Sequence, residues 1–307
     1  MEYVLQPELL ARPPAQSITA EHFSRLKAAR AVLIAVFDIE ESFDLLVGNY
    51  LEMEGAGLQQ ALSRAVRSVH DYDDMFELKA ELSRRIVNLL SSSRMFVDTL
   101  PSNAARCGGD EPQVKKWLKA EFDSHFAYRF MEALRNQAQH RGFTVHQFGG
   151  TSPWLPPGER HYRETTLRIL ALRKYLAETG GFKAKTLAEC PEQVDIFASA
   201  RRYLESLSKV QSAVRETIAS QVDEARRLTK EAIDGYVAFI NGGSALGLAA
   251  MSIQDDQQVE AVPIFLDWDE VRLKLQRRNA QMHHLTVHKV SNWPGTIEAT
   301  ERERAQS

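Results

Sequence analysis

Residues 131–143, MEALRNQAQHRGF, hold the densest set of side chains able to do chemistry. A helix advances about 100° per residue, so with Leu134 at zero, Arg135 falls near 100°, Gln139 near 140°, Asn136 near 200° and His140 near 240°. The apolar stripe points the other way. These four polar residues therefore share one side of a helix and sit in its last turns, before Gly142 can release the chain. Asn136 and His140 are an i, i+4 pair, in which the amide can orient the imidazole; Arg135 and Gln139 are a second pair. A permanently charged guanidinium fork suits a phosphate, and a neutral imidazole near its ordinary pKa suits proton transfer. Together they suffice for metal-free phosphodiester cleavage in RNA.

The elements that must position this string are long amphipathic helices. Apolar residues recur at helical spacing from about Thr19 to Met53, with Thr19 as N-cap and Gly55 and Gly57 as the stop. A second helix is expected from Leu58 to Pro101, kinked near Asp71, Asp73 and Asp74, and a third over about 112–140, with Trp117, Leu118, Phe122, Phe126, Phe130 and Leu134 on one stripe. Residues 143–148 are β-prone, GGTSPWLPPGE is loop, and 163–176 fit either a strand or a short helix. The strongest periodicity, Val194 to Phe239, predicts one helix over about 191–240. A strand over 259–266, a helix from Asp267 to about Gln281 with a capping-box-like start, and a last strand over 285–290 complete the expectation. The fold class is thus mainly α: an antiparallel bundle of four long helices over residues 1–240 with a small β-containing insert at 143–190. A small α/β appendage over 241–295 packs on it, and a charged, disordered tail covers 296–307.

An Arg, a polar residue directly after it and a His four residues beyond that, at the end of a helix in a helical bundle, resembles the signature of the HEPN superfamily of ribonucleases and their inactive relatives. The signature here is Arg135, Asn136 and His140, in the string RNQAQH. The resemblance implies a dimer with two copies of the motif in a cleft between subunits. His140 would then be general base or acid for attack by the RNA 2′-hydroxyl, Arg135 would bind the scissile phosphate, and Asn136 would support either. The product would be a 2′,3′-cyclic phosphate, with no metal and no cofactor. Gln139, Arg141, Arg129 and Lys119 are the expected RNA-binding residues, with RNA, a second copy of the chain and a regulatory or antitoxin protein as partners, as in bacterial toxin, stress or anti-phage systems. The β-prone insert and the segment after 241 depart from the small size of that family.

Composition is compatible with this reading. The chain has 307 residues, 44% hydrophobic and 26% charged, enough for a large core. Its net charge is −3, yet residues 115–185 carry 13 Lys and Arg against 6 Asp and Glu. A basic middle can attract phosphates to an otherwise acidic protein. Two cysteines cannot build a disulfide framework, and the absence of an apolar run of about 18 residues or of a secretory leader makes a cytoplasmic, membrane-free location the expectation. His283, His284 and His288 have metal-compatible spacing without accompanying acids, Asp71, Asp73 and Asp74 lack the glycine and distal glutamate of an EF-hand, and GGSALG at 242–247 is read as a helix stop. Cys107 has no evident base, and Trp154 is read as a loop anchor. The competing functional reading is a non-catalytic, dimeric helical binding or scaffold protein in which the Arg/His motif is structural.

Overall fold

A computed structural model describes residues 1–8, 13–67, 72–141, 146–150, 152, 164–178, 180, 182–288 and 290. The chain is mainly helical, with two small antiparallel sheets. α1 (Ala20–Val66) and α7 (Ile196–Phe239) are its long axes, and α2 (Tyr72–Arg106) lies along α1. α1 and α2 run antiparallel: Asp38 meets Arg106 near one end and Gln60 meets Glu81 near the other. α7 lies antiparallel to α1 as well, through Arg201 with Glu54 and Arg215 with Glu40.

Thr19 caps α1 by accepting from the His22 amide at 3.0 Å, as its position suggested. The expected stop at Gly55 and Gly57 does not occur; α1 continues to Val66. Gly57 is there for space: a Cβ at that position would lie 2.5 Å from Cζ of Phe197, so the glycine lets α7 approach α1. α2 likewise runs through Pro101 to Arg106. A proline inside a helix costs roughly 3 kcal/mol, and the complete burial of Leu100, Ala104 and Cys107 around it offsets that cost.

The expected single helix over 112–140 is two. α3 (Glu111–Ser124) ends at His125, which has extended backbone angles, and α4 (Phe126–Arg141) starts anew. Asp110 caps α3 at Gln113. At its other end, the Arg129 guanidinium donates to the carbonyls of Phe122 at 2.8 Å and Asp123 at 2.7 Å, satisfying acceptors that the break exposes. α4 packs against α7 and α2.

The insert forms a three-stranded sheet, β3 (Gln147–Gly149), β4 (Arg168–Leu172) and β5 (Gln193–Asp195), with Leu170 opposite both Gln147 and Asp195. The stretch 163–176 therefore resolves into β4 followed by the short α5 (Arg173–Glu178), and α6 (Ala184–Glu189) leads into β5. β5 takes the residues just before α7, so that helix begins at Ile196 and not at 191, with Asp195 as its N-cap on the Ala198 amide.

The second sheet has the order β2-β1-β6-β7 and joins both ends of the chain. β1 (Glu2–Pro7) pairs with β6 (Leu248–Gln254), putting Val4 opposite Met251; β2 (Gln16–Ser17) and β7 (Gln257–Pro263) are the edges. Leu5, Leu248, Ala250 and Val262 lie over Phe23, Leu26 and Tyr236. α8 (Asp267–Arg278) rests on α1, where Phe37 meets Trp268 edge-on at 5.7 Å. The strand expected over 285–290 is not formed: residues 285–287 are turn. Trp154, Asp71 and the tail from 296 lie outside the described residues.

His146 supplies a pH test of the insert. Its Nδ1 accepts from the Leu172 amide at 3.0 Å, and burial, reinforced by the Lys79 ammonium, lowers its pKa below the usual value. The unfolded chain takes up the proton first, so this contribution is complete above about pH 6.5 and is lost as pH falls below that value. The stability difference between wild type and His146→Gln, measured by urea unfolding, is expected to narrow from pH 7.5 to pH 5; a constant or widening difference would contradict this account.

Candidate functional site: a basic cleft beside the end of α4

The polar side of α4 divides in two. Arg135 and Asn136 are half-buried and line a cleft of about 460 Å³, whereas Gln139 and His140, one turn further, are exposed. The cleft is walled by Arg94 and Val97 of α2, Leu118, Lys119 and Phe122 of α3, Tyr128, Arg129, Glu132 and Ala133 of α4, and Lys183 and Thr186 at α6. The 131–143 string thus places two of its four polar residues in one concave surface. His140 does not line it. Asn136 turns to its neighbour and not to the imidazole: its Oδ1 accepts from Arg135 Nη1 at 3.0 Å. Arg141 closes α4, its side chain lying outside the described residues.

Under the cleft lies a network that helical spacing could not disclose. The fully buried Tyr203 hydroxyl, on α7, donates to Glu132 Oε1 at 2.5 Å, and Arg94 approaches the other carboxylate oxygen at 3.5 Å while bridging to Asp98 at 2.6 Å. Burial first, and then the Glu132 carboxylate, raise the pKa of Tyr203 well above 10. Tyr128 stacks edge-on with Tyr203 at 4.7 Å and is raised for the same two reasons. Both phenols therefore stay protonated, and Tyr203 acts as a fixed donor.

The cations of the cleft are not equivalent. Arg129 holds Glu189 through Nε at 2.9 Å and Nη2 at 2.6 Å as well as the two α3 carbonyls, so its donors fix the wall. Lys119 pairs with Asp123 one turn along α3. Among the described residues Arg135 has only the neutral Asn136 as partner, and its Nε–H is buried without an acceptor. Such an orphaned donor costs about 1–3 kcal/mol, which an incoming acceptor can recover.

The other candidates have no comparable setting. Cys107 and Cys190 are buried, which pushes their thiols up to about 12 and about 11, far from nucleophilic use near neutrality. His283 and His284 are neighbours at 6.1 Å between rings, and no group of three metal-ligating side chains occurs among the described residues. No helix among them is long and apolar enough to cross a membrane. GGSALG follows α7, where Asn241 and Gly242 adopt positive φ and release the chain toward β6. No protein-family model, curated protein or solved structure matches the chain.

Sequence reasoning missed Arg94, Glu132, Lys183 and Tyr203, whose common signal is spatial: they come from α2, α4, the start of α6 and α7. Tyr203→Phe removes the only buried hydroxyl donor given to Glu132 among the described residues. It is expected to cost about 1.5–3 kcal/mol in chemical unfolding, the range for hydrogen bonds to charged groups, whereas a loss under 0.5 kcal/mol would show that Glu132 does not depend on it.

Proposed function

We propose that the chain is a HEPN-like, metal-independent endoribonuclease that cleaves RNA by attack of the 2′-hydroxyl at a site made by two subunits. Arg135 holds the scissile phosphate, Asn136 fixes the guanidinium, and His140 moves the proton. The observation that carries the reading is the position of Arg135, half-buried in a basic cleft with unused donor capacity, one turn before an exposed imidazole on the same helix. The packing of α4, which carries the motif, on the long helices α2 and α7, which themselves pack on α1, supports a HEPN-like bundle. Arg135 belongs to the cleft and His140 does not, so a second copy related by a two-fold axis is the simplest way to bring an imidazole to the guanidinium. Lys119, Gln139 and Arg141 would then meet the RNA backbone beside the cleft, while Arg129 would shape its wall.

A second reading, a non-catalytic helical binding protein, is favoured by one feature. Leu51, Leu58 and Leu62 are more than half exposed at i, i+7 and i+11 on α1, an apolar stripe suited to a protein partner.

His140→Ala and Arg135→Ala are each expected to abolish cleavage of a labelled RNA, with thermal midpoints within a degree or two for the exposed His140. Activity in EDTA is expected to be undiminished. Wild-type cleavage in either variant, or loss in EDTA restored by magnesium, would remove these roles. Light scattering after size exclusion is expected to give twice the 34.7 kDa chain mass; a monomer at micromolar concentration would rule out the two-subunit site.

A further inference from the structure

The cleft is lined by more cations than one scissile phosphate requires. Five cations line it, and three are matched: Arg129 by Glu189, Lys119 by Asp123, and Arg94 by Asp98 and Glu132. Arg135 has a neutral partner, and Lys183 has no carboxylate partner among the described residues. Two cations are therefore left without a carboxylate of their own, although Arg94 holds two carboxylates and the net charge of the group is +1; the pair Arg135 and Lys183 suits the oxygens of a phosphate monoester, which carries about −1.5 to −2 at neutral pH.

Lys183 is not a loose surface lysine at its backbone. The preceding Phe182 is buried against Phe130 of α4, with ring centroids 5.7 Å apart, and the helix that follows is tied back to α4 by Arg129 and Glu189. Both anchors set Lys183 along the flank of α4 that carries Arg135. Among the charges, the half-buried Val97 and Phe122 give the cleft an apolar and aromatic patch, with Leu118 and the edge-stacked Tyr128 buried behind them. Glu132, held by Tyr203 and Arg94, adds an acceptor to the same cleft, one turn before Arg135 on α4. A volume of about 460 Å³ falls in the range of small-molecule sites.

We propose that this cleft binds a nucleoside monophosphate, with the phosphate between Arg135 and Lys183, the flat base against the Phe122 wall, and Glu132 accepting from a base amino group or a sugar hydroxyl. Phosphate meets the two unpaired cations, and a base rests on the half-buried Phe122 and Val97, a contact that inorganic phosphate cannot make. The ligand is either a free nucleotide or the phosphorylated end of an RNA chain. The site shares Arg135 with the proposed cleavage reaction but needs neither His140 nor cleavage, so binding at equilibrium tests it separately.

The experiment is isothermal titration of the full chain and of His140→Ala with adenosine 5′-monophosphate, adenosine, inorganic phosphate and a 5′-phosphorylated dinucleotide. Adenosine monophosphate is expected to bind both proteins alike, at least about tenfold more tightly than adenosine or phosphate alone. Lys183→Glu, at an exposed position, is expected to weaken it at least about tenfold with an unchanged thermal midpoint, and Lys183→Arg to retain it. Tighter binding of the dinucleotide would identify an RNA end as the source, and weaker binding a free nucleotide. The proposal is overturned if adenosine monophosphate binds no better than phosphate, if neither nucleotide binds, or if Lys183→Glu binds as wild type does.

Discussion

Arg215 joins three parts of the chain that are far apart in sequence. From the middle of α7 its Nε and Nη2 reach both carboxylate oxygens of Glu40 on α1, at 2.9 and 2.5 Å, and its Nη1 reaches the carbonyl of Asn279 at the end of α8, at 2.7 Å. Glu40 is 1% exposed, so its charge has no water to fall back on, and Arg215 is nearly as enclosed. Breaking such a pair from one side typically costs about 3–5 kcal/mol, because the remaining charge stays buried. The bidentate geometry also sets how far α7 can slide along α1. With that position set, Glu54 meets Arg201 and Gly57 meets Phe197 further along the same interface. Everything that α7 offers to α4, including Tyr203, inherits its position from this register.

The cleft follows from the break between α3 and α4. A continuous helix through His125 would carry Phe122 and Phe130 on one straight stripe and leave no concavity between them. Because the chain turns there, Leu118 and Phe122 face back toward Tyr128, Glu132 and Arg135. Arg129 holds the turn by capping α3 and gripping Glu189, and in doing so gives up its capacity to bind a ligand. Arg135, six residues and nearly two turns later, retains that capacity. Two arginines on one helix thus have different tasks, decided by what lies opposite each.

Legibility in the sequence followed the range of the interactions. α7 was plain from its own periodicity, since one side of it is buried nearly throughout. The ends of α1 and α2 were misjudged because Gly57 and Pro101 read locally as stops, whereas distant burial keeps both segments helical. β1 was not legible because its long pairing is with β6, more than 240 residues away, and β6 was not legible, although it also pairs with the adjacent β7, because Ala249 and Ala250 give no strand signature of their own. The helical wheel of 131–143 found the polar side of α4 correctly. It could not show that α2, α3 and α6 cover part of that side, which separates Arg135 and Asn136 from His140. The buried partners of the cleft are visible only once the fold brings four helices together.

That separation makes the cooperation of Arg135 and His140 across subunits the central claim. The most direct measurement mixes inactive Arg135→Ala and inactive His140→Ala chains, after reversible dissociation, and follows RNA cleavage. A heterodimer then carries one site with both residues intact, so an equal mixture should recover about a quarter of wild-type activity. A mixture as inactive as either variant alone, with heterodimers demonstrably formed, would contradict a site shared between subunits.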